Sequence, residues 1–144
     1  MAALIDSSVF IAAERGALPL DEVLARHAET GMALAAISAS ELLHGVHRLR
    51  ASRGKARAEA FVEAVLSQIP VIAFDLLCAR VHARIGAELA RRGVTLGAHD
   101  LLIAGTAIAK GYGCDVRSAE LRSRSRPRGG DLVGERGASG RGLW

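Results

Sequence analysis

The chain has 144 residues, half of them apolar, and a formal net charge of +4. That length suits one domain built around one core. No apolar stretch reaches the length of a bilayer span, which excludes a membrane-spanning helix and leads us to expect a cytoplasmic protein with no membrane partner. Aromatic residues make up only 3% of the chain, so the core must be assembled from Ala, Leu, Val and Ile. Cys78 and Cys114 form no metal-binding or redox pair, and two isolated thiols fit a reducing compartment.

The elements follow in chain order. Ala2–Ile5 is expected to form a short buried strand, with Asp6-Ser7-Ser8 as the turn into a helix over Val9–Arg15 that Gly16 ends. Ser7 and Ser8 are expected to cap that helix, leaving Asp6 for other work. Pro19 stands as a first-turn proline of a second helix, which Gly31 breaks. Met32–Ile37 is a second strand, and Ser38 or Ser40 caps the next helix, with Leu42, Leu43, Val46 and Leu49 at helical spacing. Arg53–Gln68 is an amphipathic helix, Val71–Phe74 a third strand, and Asp75 the cap of a long helix to about Arg92. Gly93–Ala98 reads as a loop, and His99–Lys110 as a helix ended by Gly111. Short strands alternating with helices give an α/β fold, a short and mostly parallel sheet flanked by helices in three layers. In such sheets the functional crevice lies outside the carboxyl ends of the strands.

Three acids stand beside apolar runs at such places: Asp6, Glu41 and Asp100. Each has an ordinary structural account. Asp6 suits a helix cap, Glu41 completes a Ser38-x-x-Glu41 capping box, and Asp100 is a first-turn acid favoured by the helix dipole. Taken together they suggest more, because desolvated carboxylates need a compensating partner and a hard divalent cation accepts several oxygen ligands.

The segments around these acids resemble a known family. Leu4-Ile5-Asp6-Ser7-Ser8-Val9-Phe10-Ile11 looks like the opening strand and turn of PIN domains. Ile37-Ser38-Ala39-Ser40-Glu41-Leu42-Leu43-His44-Gly45 looks like their second acidic segment, and Gly97-Ala98-His99-Asp100-Leu101-Leu102-Ile103-Ala104 like their third. The order and spacing resemble those of VapC toxins, the ribonuclease halves of type II toxin–antitoxin pairs. The resemblance covers residues 1–112. It implies a three-layer PIN-like fold and an endoribonuclease using Mg²⁺, or Mn²⁺, held by Asp6, Asp100 and Glu41. It also implies an RNA substrate, a VapB-like antitoxin partner and a homodimer. The chemistry agrees: a bound divalent cation neutralises the phosphate oxygens and activates a water, so no serine or histidine nucleophile is needed.

Residues 113–144 depart from that pattern. They hold seven Gly and seven Arg in 32 residues, and carry +3 of the net charge. Such a composition is expected either of a disordered arm or of text read out of frame beyond Tyr112. Asp115 and Glu120 are the acids available there for a fourth site position, and neither aligns with the family. A chain so altered is alternatively a catalytically impaired binding module that still engages an antitoxin or a second copy. Glu41, His44 and His47 recur every three residues, but a di-iron site needs a second such set, so both histidines are expected at the surface. His99, at the junction of the Gly93–Ala98 loop and the last helix, is read as a loop residue and not as a general base. Arg48, Arg50, Arg53, Lys55 and Arg57 form the only dense basic stretch in the body of the chain, ahead of the tail, either a solvated face or a phosphate-tracking rim.

Overall fold

The computed structural model describes residues 1–114. The expectations placed on the Arg/Gly-rich tail, Asp115 and Glu120 among them, lie outside the described residues. The chain runs β1 (Ala3–Ile5), α1 (Ser7–Glu14), α2 (Leu20–Arg26), β2 (Met32–Ala35) and α3 (Ala36–His47). It continues through α4 (Arg53–Gln68), β3 (Val71–Ile72), α5 (Leu76–Arg91), α6 (Ala98–Lys110) and β4 (Gly113–Cys114). The strands form one sheet in the order β3-β2-β1-β4, and every pairing is parallel. Among the described residues no helix is long and apolar enough to cross a membrane.

Parallel strands require crossovers, and crossover helices cover both faces of the sheet. The strands are therefore apolar on both sides, and their alternation sorts residues between two cores. Ile5 and Leu34 face a core shared with Val9 and Phe10 of α1, Val23 of α2, Leu42 and Val46 of α3, and Val62 and Val65 of α4. Leu4, Ala33 and Ala35 face the opposite side, where Ile103 and Ala107 of α6 cover them. A small-residue strand face lets α6 approach closely.

Several boundaries differ from expectation: α1 starts at Ser7, not Val9, and the third strand stops at Ile72, not Phe74. The second strand ends at Ala35, which pairs with Ile72 of the two-residue β3, and α3 starts at once from an Ala35 cap that makes no side-chain hydrogen bond. Ser38 is consequently inside the first turn of α3 and fully buried, so the expected Ser38–Glu41 capping box does not form. Pro19 is the N-cap of α2, one position ahead of the first turn. The last helix begins at Ala98, one residue before the expected start at His99.

Helices α5 and α6 form an antiparallel pair. At its far end the Lys110 ammonium lies 2.5 Å from Asp75, the N-cap of α5. That hydrogen bond, with help from the Cys78 N–H, holds the Asp75 carboxyl well below the usual carboxylate range, and raises Lys110. At Gly105 the two helices are nearly in backbone contact, since a Cβ there would stand 3.0 Å from the His82 Cβ and 3.2 Å from its Cα. Backbone cannot rotate aside as a side chain can. Gly105→Ala is therefore expected to lose stability, because overpacking costs about 1–3 kcal/mol and outweighs the roughly 1 kcal/mol gained in helix propensity. A lowered urea midpoint with an unchanged slope would register this.

Candidate active site

The parallel sheet opens a crevice where α1 and α3 spring from the carboxyl ends of the neighbouring strands β1 and β2. Asp6 is the first residue beyond β1 and the N-cap of α1. Its Oδ2 accepts from the Ser8 N–H at 3.3 Å and the Ser8 hydroxyl at 2.5 Å. Asp6 thus performs the capping assigned above to the serines, and it is 94% buried while doing so.

Glu41 stands in the second turn of α3, not the first, and is partly exposed. Both of its oxygens are engaged from other elements. The Ser7 hydroxyl, buried at the start of α1, donates to Oε2 at 2.5 Å, and Nδ1 of His99, in the first turn of α6, lies 2.5 Å from Oε1. These contacts link segments 34 and 58 residues apart. They settle how the three acidic segments meet: Ser7 follows Asp6, His99 precedes Asp100, and Glu41 joins the two. Asp100 is in the first turn of α6, and a Cβ built on Gly97 would lie 2.9 Å from its Oδ2. A side chain at that N-cap would push the carboxylate from its present place over the helix end.

Neither Ser7 nor His99 stands out in the sequence as a site residue. The one signal at His99 was its place beside Asp100, where the last helix was expected to start. Ser7 had none beyond following Asp6.

The donor chemistry fits a hard divalent cation, since Asp6, Glu41 and Asp100 offer carboxylate oxygens. Their arrangement is not yet a coordination sphere: among the described residues no three His, Cys, Asp or Glu side chains lie close enough together to hold a metal ion. Each Glu41 oxygen carries one hydrogen bond and keeps a second lone pair for a cation.

Beside Glu41 a groove of about 240 Å³ runs between α1, α3 and α4, lined largely by apolar side chains such as Phe10, Ile11, Leu42, Val46, Phe61 and Val62. Glu41, Glu14 and Arg15 supply its polar rim.

Comparison with known proteins places the fold in a family. Residues 3–114 match the family model described as the PIN domain. The chain is 35% identical over 113 residues to Ribonuclease VapC1 of Rickettsia felis, covering 78% of this chain and 81% of that protein. It is 35% identical over 80 residues to the tRNA(fMet)-specific endonuclease VapC of Salmonella typhimurium, covering 56% and 58% of the two chains. Among solved structures it is similar to DNA-bound VapBC from Salmonella typhimurium, with a TM-score of 0.69, 27% identity and coverage of 83% and 91%. The VapBC2 structure from Rickettsia felis bound to a promoter DNA fragment shares the fold at a TM-score of 0.70 and 23% identity, covering 84% and 92%. The chain belongs to the PIN-domain family, within its VapC group.

Proposed function

We propose that this protein is a VapC-type endoribonuclease toxin that hydrolyses RNA phosphodiester bonds with Mg²⁺, or Mn²⁺, and is neutralised by a cognate antitoxin. One observation carries the reading: Glu41 is held between Ser7 and His99, so three acid-bearing segments converge at the carboxyl end of the sheet. The names of similar proteins, Ribonuclease VapC1 among them, support it.

Asp6 and Asp100 are assigned as metal ligands, and Glu41 as a ligand or as the group that orients the attacking water. When bound, the cation supplies charge neutralisation at the phosphate and a water acidic enough to attack near neutral pH. The chain's own part is placement. The cap contacts from Ser8 fix the Asp6 carboxylate against rotation, and two partners from separate helices hold Glu41 at the crevice.

The groove beside Glu41 supports the antitoxin assignment. Its apolar lining and the Glu14 and Glu41 carboxylates on a rim shared with Arg15 suit an amphipathic segment carrying a cation that reaches Glu41. The homodimer is proposed from membership of the family. RNA cleavage by the purified chain is expected to require added Mg²⁺ and to stop with EDTA. Binding of an antitoxin without cleavage under any divalent cation would instead make the protein an inactive binding module, a reading favoured by the absence of a three-ligand cluster among the described residues.

A further inference from the structure

We propose that the turn between α3 and α4 is a track for the phosphate backbone of single-stranded RNA leading away from Glu41. This rests on the nuclease reading for its substrate, but on different residues. Arg48, Arg50, Arg53, Lys55 and Arg57 occupy ten consecutive positions that contain no acid. The four arginines are exposed and the lysine half-exposed. Some other surface cations are paired, as Arg26 with Glu22 at 3.4 Å and Arg91 and Arg92 with Glu88 at 2.6 and 2.7 Å, while Arg15, Arg80 and Arg84 stand singly along the chain with no salt bridge to a described acid. None of these five forms a salt bridge with a described acid.

Their placement works against the helix that carries them. Arg53 and Lys55 are in the first turn of α4, which has no acid there and no cation in its last turn. A positive charge at a helix N-terminus opposes the macrodipole. Two other helices obey the usual order: α2 has Asp21 and Glu22 first and Arg26 last, and α6 has Asp100 first and Lys110 last. Folding gives no reason for the reversal on α4, whereas a bound phosphate turns both the dipole and the cations to advantage.

The geometry joins this turn to the site. Arg48, the C-cap of α3, is seven residues from Glu41, hence two turns along the same helix face and about 10 Å away. Between them Gly45 lines the groove, and a Cβ there would meet nothing within 4 Å. A strand can lie on that open glycine surface with one phosphate at Glu41 and later ones at Arg48 and the α4 N-terminus.

The test measures affinity of the full chain for single-stranded RNA in EDTA across a salt series, with cleavage kinetics in Mg²⁺ run alongside. For R48A/R50A/R53A, the slope of log K against log salt is expected to shrink by about 2, roughly 0.7 for each phosphate left without its arginine, and affinity near 0.1 M salt to fall on the order of 100-fold. KM should rise with kcat unchanged, and the melting temperature should hold or increase, since Arg53 no longer opposes the helix. R91A/R92A should change none of these. An unchanged slope and KM in the triple variant would overturn the track, leaving the arginines to solvent or to an acidic protein partner, even if the wild type cleaves RNA. A wild type that never cleaves, yet shows the altered slope in the variant, would defeat the nuclease reading and leave the track standing.

Discussion

Asp6→Asn is expected to lower the rate of RNA cleavage by more than about 100-fold while leaving the fold nearly as stable as before. The two halves of this result come from the two tasks of one side chain. As the N-cap of α1, Asp6 accepts hydrogen bonds from the N–H and hydroxyl of Ser8 through a single oxygen. An asparagine carbonyl accepts the same bonds, and Asn ranks with Asp as a cap. As a metal ligand, however, Asp6 contributes a negative charge that a neutral amide lacks. Loss of an outer partner of a metal site already costs about 10–100-fold, so loss of a charged ligand should exceed that range. Asp6→Ala provides the comparison, because it removes the cap as well and should cost about 1 kcal/mol of stability in addition. The measurement is kcat at saturating Mg²⁺ together with a urea midpoint for each variant. A wild-type rate in Asp6→Asn would mean that the residue is a helix cap and nothing more.

Much of the fold was legible in the sequence because its signals are local. Leu4 and Ile5, or Ala33 and Leu34, are apolar in succession, and that marks a strand covered on both faces. Gly16, Gly31 and Gly111 announce chain reversals, and each adopts a positive φ. The three acids were legible as well, since each closes or opens an apolar run. Their partners were not. Ser7 and His99 reach Glu41 across 34 and 58 residues, and nothing in the local pattern around a serine or a histidine encodes a contact made by the tertiary fold. The capping-box expectation failed for a related reason. Ser38 and Glu41 have the right spacing, but the position of the helix start is set by where β2 stops pairing with β3, and that falls at Ala35. With the helix beginning at Ala36, Glu41 is carried into the second turn, where its carboxylate leaves the helix end and meets Ser7 and His99.

Phe10→Ala is expected to be the most damaging change to the core, costing about 3–5 kcal/mol. Phe10 is completely buried and packs in the larger of the two cores, with α2, α3 and α4 around it. Total stabilities of such domains are about 5–15 kcal/mol, so this one truncation removes a large share. The site should suffer with the core. Helix α1 has only eight residues, too few to persist by its own propensity, and its Asp6 cap does not fix its orientation on the sheet. What fixes it is the burial of Val9 and Phe10 one turn beyond Ser7. Freed from that anchor, the helix no longer holds the Ser7 hydroxyl on Glu41. Phe10→Leu, which keeps most of the buried volume, should recover most of the stability and most of the activity together. Urea midpoints and cleavage rates across wild type, Phe10→Leu and Phe10→Ala give the test. If activity stayed at the wild-type level in folded Phe10→Ala while stability fell, α1 would be positioned by something other than its packing, and the route from core to carboxylates would have to be drawn through α3 and α6 alone.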